Sequence, residues 1–132
     1  MKTYHFMAGL PRSGSTLLKS LIDQNPNIHT EPVSSVMELM YHTEEYFKQS
    51  EQYQGYQKPQ NAHKIISSFI ENQYCEREEE IIIDHCRAWP NNIERLKTYI
   101  TPNPKIICPV RNITEVLTSF ITMIHRNSDE FN

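Results

Sequence analysis

Three arginines stand at comparable places in the chain, each just past a short apolar run: Arg12 in GLPRSGST, Arg87 in IIIDHCR and Arg111 in PKIICPVRN. Guanidinium groups bond phosphate and carboxylate oxygens in pairs, so three that converge would make a site for an oxyanion-rich ligand. The first lies in a stretch with a chemistry of its own. Gly9 and Gly14 have the spacing of the pattern G-x-x-x-x-G-K-[ST], in which backbone amides cradle phosphates and the lysine reaches the terminal ones. Here Ser15 occupies the lysine position and Thr16 supplies the hydroxyl. The anion is therefore expected to be something other than the triphosphate of a nucleotide.

Such a loop needs a strand before it and a helix after it. TYHFMAG, Thr3 to Gly9, has the content of a buried strand, and Leu17, Leu18, Leu21 and Ile22 form one apolar helical face ending before the turn Asn25-Pro26-Asn27. Two amphipathic helices are expected over 34–49 and 62–74, with core-facing stripes at Val36, Leu39, Met40, Tyr46 and Phe47, and at Ile65, Ile66, Phe69 and Ile70. The linker between them, EQYQGYQKPQN, reads as a loop near a substrate site, and the helices as walls of an acceptor pocket.

Ile81, Ile82 and Ile83 give a strand buried on both faces. WPNNIERLKTYI follows as a helix with Pro90 in its first turn and Ile93, Leu96, Tyr99 and Ile100 inward. A third strand runs from Lys105 to Val110, made irregular by Pro109. A last helix follows, capped by Asn112 or Thr114. Strands alternating with helices imply an α/β fold with a parallel sheet, here one domain over 1–132, and a ligand at the carboxyl ends of the strands. The three arginines sit at those ends.

Composition narrows the class. Of 132 residues, 38% are hydrophobic and 22% charged, with a net charge of -3, so neither a charge-driven nucleic-acid partner nor a membrane is expected. The opening residues hold no leader-length apolar run, and the expected compartment is the cytoplasm. Cys75, Cys86 and Cys108 show no C-x-x-C spacing, and none of the six histidines has another four residues away, so no metal site is expected.

Taken together, GLPRSGSTLL, the LIDQNPNI that follows it, IIIDHCRAWPNNIERL and PKIICPVRNITEVLTSF resemble the sulfotransferases that use 3′-phosphoadenosine 5′-phosphosulfate (PAPS), in the branch that includes tyrosylprotein and bacterial enzymes. The resemblance runs from Phe6 to about Phe120. It implies a three-layer, P-loop-like sulfotransferase fold and roles for particular residues. Pro11, Arg12, Ser13, Gly14, Ser15 and Thr16 would form the 5′-phosphosulfate loop, with Arg12 as the fixed cation. Arg111 and Ser119, eight residues on, would take the 3′-phosphate.

Sulfuryl transfer to a hydroxyl or amine on a small molecule, carbohydrate or peptide would need a base but no metal, leaving 3′,5′-bisphosphoadenosine (PAP). Glu31 in HTEP is preferred as that base, with His85, which stands where the family usually has lysine, as the other candidate. Family members usually have about twice this length, so the chain is expected to be the N-terminal portion, its sheet edge open to self-association. Two other readings remain at this point. One is a P-loop kinase or nucleotide-binding protein in which Asp84 holds magnesium; the other is a truncated, non-catalytic nucleotide-binding domain.

Overall fold

The computed structural model describes residues 2–56 and 59–129. Four strands, β1 (Thr3–Met7), β2 (Ile28–Thr30), β3 (Ile81–His85) and β4 (Ile106–Ile107), form one sheet in the order β2-β3-β1-β4. Every neighbouring pair is parallel, with Phe6 opposite both Asp84 and Ile106 and Thr30 opposite Ile83. The expected α/β architecture is thus present. β2 is an addition to it, because three residues after a turn are too few to show a strand pattern. β4 is shorter than expected: only Ile106 and Ile107 pair, and the chain leaves the sheet before Pro109, which has no N–H for a ladder.

Among the described residues six helices connect and flank the strands: α1 (Ser15–Ile22), α2 (Val36–Gln49), α3 (Glu51–Tyr56), α4 (Pro59–Gln73), α5 (Ile93–Tyr99) and α6 (Ile113–Asp129). A 3₁₀ turn, Trp89–Asn92, precedes α5 with Pro90 inside it. The linker expected to be a loop is largely helical, and its residues 57 and 58 lie outside the described residues.

Right-handed crossovers in this strand order put α1 on one face of the sheet and α2 to α5 on the other. The core lies on the second face, where Phe6 and Ile82 meet Val36, Met40, Ile66, Ile70, Tyr74, Trp89 and Leu96. Phe6 and Trp89 pack edge to face at 5.1 Å, an arrangement worth about 0.5–1.5 kcal/mol beyond the area it buries.

The stripes are only partly covered. Leu39, Tyr46, Ile65 and Ile93 lie at stripe edges and stay exposed, while Met40, Ile66, Ile70 and Leu96 are buried. The apolar face expected for α1 is present but only half covered: Leu18 and Ile22 are half-buried, no residue of the helix is fully buried, and Leu17 is 67% exposed. Periodicity reveals a face that burial would stabilise, not a neighbour that supplies the burial. Among the residues of α6 whose burial is described only Val116 is buried, and Ile113, Leu117, Ile121 and Ile124 face solvent.

Candidate functional site

The loop after β1 is shaped by its two glycines. Ala8 N–H still donates to the Ile107 carbonyl at 2.9 Å, and Ser13 N–H closes a turn on the Leu10 carbonyl at 3.1 Å. Gly9 has φ 155°, and a Cβ there would stand 3.1 Å from Ser13 Oγ and 3.2 Å from Pro109 Cδ, so a side chain would be strained and would require those neighbours to give way. Gly14 has φ 102° and caps α1, its carbonyl accepting from Leu18 N–H at 3.0 Å. Among the described residues no side chain caps the first turn of α1, so its amides and the positive end of the helix dipole stay open. Ser15 and Thr16 begin that turn. Ser13 is buried under the loop, its hydroxyl without a partner.

Arg12 is a non-glycine residue in the left-handed region, φ 65°, a conformation that costs an L-residue about 1–2 kcal/mol. Its consequence is an interlock. Arg12 Nε donates to Ser119 Oγ at 2.9 Å, and the Arg12 carbonyl accepts from Arg111 Nη1 at 3.2 Å. Arg111 Nε in turn donates to Glu115 Oε2 at 2.8 Å. These residues line a hollow of about 620 Å³ along α6, to which Thr114, Thr122 and Arg126 also contribute. Arg12, Arg111 and Ser119, 107 positions apart at the extremes, are therefore brought together. Arg87, the third arginine of the sequence pattern, is exposed and does not line this hollow.

The two candidate bases lie elsewhere on the strand ends. His85 closes β3 opposite Met7, and its Nδ1 lies 2.6 Å from the Pro32 carbonyl. A carbonyl only accepts, so Nδ1 carries a proton and Nε2 is the ring nitrogen left for another partner. Glu31 follows β2, its N–H donating to the Ile83 carbonyl. Its carboxylate lies 3.2 Å from His29 Nε2 and lines a separate hollow with Asn72, Gln73 and Tyr74. Glu31 and the arginines share no cavity. A third hollow, lined by Phe47, Tyr53, Ile66 and Tyr99 between α2 and α5, is where the expected acceptor walls leave space, and it too is separate from the arginines.

Asp84 is the residue whose role is most altered by its surroundings. It is fully buried; Tyr74 Oη donates to its Oδ2 and Trp89 Nε1 to its Oδ1, both at 2.7 Å. Burial raises its carboxyl above the usual carboxylate range, opposed by hydrogen bonds from Ser34, Tyr74 and Trp89. Burial, with the nearby Asp84 charge, likewise pushes the Tyr74 phenol up. Both carboxylate oxygens accept from core donors and the side chain is fully buried, so Asp84 faces the core and not the open strand end where magnesium would be met. Among the described residues no group of three His, Cys, Asp or Glu side chains is placed to hold a metal ion.

Sequence reasoning missed Glu115, Tyr74 and Trp89 as partners of site residues. Only Glu115 carried a signal, its i, i+4 spacing from Arg111.

The model of the sulfotransferase family matches residues 5–132. The chain belongs to the sulfotransferase family. The match runs from His5 within β1 through the loop, β3 and the Arg111 segment, so it takes in the loop and strand ends that position the site. A comparison with curated proteins finds no match. No helix among the described residues of this sulfotransferase is long and apolar enough to cross a membrane.

Proposed function

We propose that this protein transfers a sulfuryl group from PAPS to a hydroxyl or amine on a small-molecule, carbohydrate or peptide acceptor. The observation that carries the reading is the interlock of Arg12, Arg111 and Ser119 beside an uncapped helix N-terminus. It offers two oxyanion sites rather than one, which suits a ligand with phosphate at both 3′ and 5′ positions. The residues present fit that ligand: a glycine cradle that a Cβ would fill, free amides at α1, and guanidinium groups about one hollow.

PAPS supplies a sulfuryl group already attached to a good leaving phosphate. The chain's own contribution is positioning and charge. The α1 amides with Ser15 and Thr16 are suited to the 5′ end, and Arg111 with Ser119 and Arg12 to the 3′-phosphate. Neither candidate base lines the arginine hollow; His85 is preferred because the bond at Nδ1 leaves its Nε2 uncommitted at the end of β3, which pairs with β1, whereas Glu31 is engaged with His29. The kinase reading loses its main support with the burial of Asp84.

Calorimetric titration with PAP in EDTA, beside ATP with magnesium, tests the reading. Micromolar PAP binding that Arg111→Ala weakens by about 10-fold or more is expected, since a charge-assisted hydrogen bond contributes about 1.5–3 kcal/mol. Binding of ATP with magnesium and none of PAP would overturn it in favour of phosphoryl transfer.

A further inference from the structure

Arg111 is held from two sides before any ligand arrives. Its Nε is donated to Glu115 Oε2 at 2.8 Å and its Nη1 to the Arg12 carbonyl at 3.2 Å. A guanidinium has five N–H donors. Those two bonds leave three, at the Nη end of the group, without a partner among the described residues, and Arg111 lines the hollow beside Ser119. Resting on the assignment of Arg111 to the 3′-phosphate, we infer that Glu115 is a positioning residue for that site: it fixes the Nε edge of Arg111 so that the Nη end is presented as a fork to phosphate.

Two observations separate this from a purely structural role. The first turn of α6 is already capped, because Asn112 Oδ1 accepts from Thr114 N–H at 2.9 Å. Glu115 is itself 61% exposed at its side chain, so it contributes little to the core. The alternative is that Glu115 is an internal competitor, a carboxylate occupying the guanidinium that phosphate requires. The two roles predict opposite signs. A positioning group spares the ligand the entropy of ordering a long side chain, and its loss weakens binding. A competitor's loss tightens it.

The test compares PAP with adenosine 5′-monophosphate, which lacks the 3′-phosphate, on wild type, Glu115→Ala and Glu115→Gln. Both substitutions remove the charge, but glutamine keeps an acceptor within reach of Nε. Glu115→Ala is expected to weaken PAP about three- to tenfold and leave the monophosphate unchanged. Glu115→Gln is expected to stay within about twofold of wild type on PAP, since the neutral acceptor retains the orienting bond. Tightening of PAP by both variants would overturn the inference in favour of a competitor. An equal loss for both nucleotides in Glu115→Ala, or no change at all, would overturn it in favour of a structural or null role. If wild type prefers PAP, and Arg111→Ala abolishes that preference while Glu115→Ala is silent, only the role of Glu115 falls. Should wild type bind both nucleotides equally, the 3′-phosphate assignment itself falls, and the role of Glu115 with it.

Discussion

Replacing Asp84 by alanine tests the buried network and, with it, the reason a metal role was set aside. The substitution would leave the Trp89 indole N–H and the Tyr74 hydroxyl without their Asp84 acceptors inside the core, on top of which the Ser34 hydroxyl loses its bond to the same carboxylate. Each buried donor left unsatisfied costs about 1–3 kcal/mol, so the two together should cost about 2–6 kcal/mol. Domains of this kind have about 5–15 kcal/mol to lose, so the midpoint should move far. Asp84→Asn keeps the volume and the acceptor for Trp89, and should cost about 1 kcal/mol at most at neutral pH.

The two variants also differ in pH dependence. Because burial raises the folded-state value of Asp84, the folded protein favours the protonated carboxyl more than the unfolded chain does. Its contribution is complete below the ordinary carboxyl value and is lost as pH rises through the raised one. The asparagine variant lacks that loss, so it should compare best with wild type at pH 7 and worst near pH 4. Urea unfolding read by the fluorescence of Trp89, the single tryptophan, measures both effects. An alanine variant within about 1 kcal/mol of wild type would refute the reasoning, since two stranded donors cannot cost so little.

Other outcomes follow from the loop and the strand end. His85→Gln should lower turnover about 10²- to 10⁴-fold with PAP affinity unchanged; Glu31→Gln should leave both nearly intact, and the reverse pattern would return the base to Glu31. Gly14→Ala meets no atom within 4 Å but forces φ 102° on an L-residue, so it should cost about 1–3 kcal/mol in urea unfolding and weaken PAP as the α1 amides shift; full stability would mean that the left-handed cap is not needed.

How legible these features were depended on whether their cause is local. β1, its loop and α1 were readable because a tight turn into a helix imposes glycine at fixed positions. β3 was readable because three successive isoleucines suit burial on both faces. β2 was not, since Ile28–Thr30 is a strand only through its pairing with β3, some fifty residues away, and nothing in three residues announces such a partner. The exposed Leu17 and Leu21 make the same point from the other side, as the pattern was correct and the neighbour was missing.

At the site, the types of residue were legible and their partners were not. Asp84 at a strand end has the sequence appearance of a metal ligand, and only the fold reveals that Tyr74 and Trp89 have claimed its oxygens. Arg12 is the sharper case. Its place in the loop suggested a cation for the sulfuryl end, yet its left-handed backbone turns the carbonyl to Arg111 and its side chain reaches Ser119. One residue thereby joins the loop after β1 to the helix after β4. An ammonium at this position would keep the charge but not the planar, directed Nε donor that meets the serine, so the arginine has a geometric reason beyond its charge. The same bonds link the two proposed oxyanion sites: a phosphate drawn to Ser119 would have to share it with Arg12 or displace it, and a displaced Arg12 side chain would be freed toward the loop from which it comes.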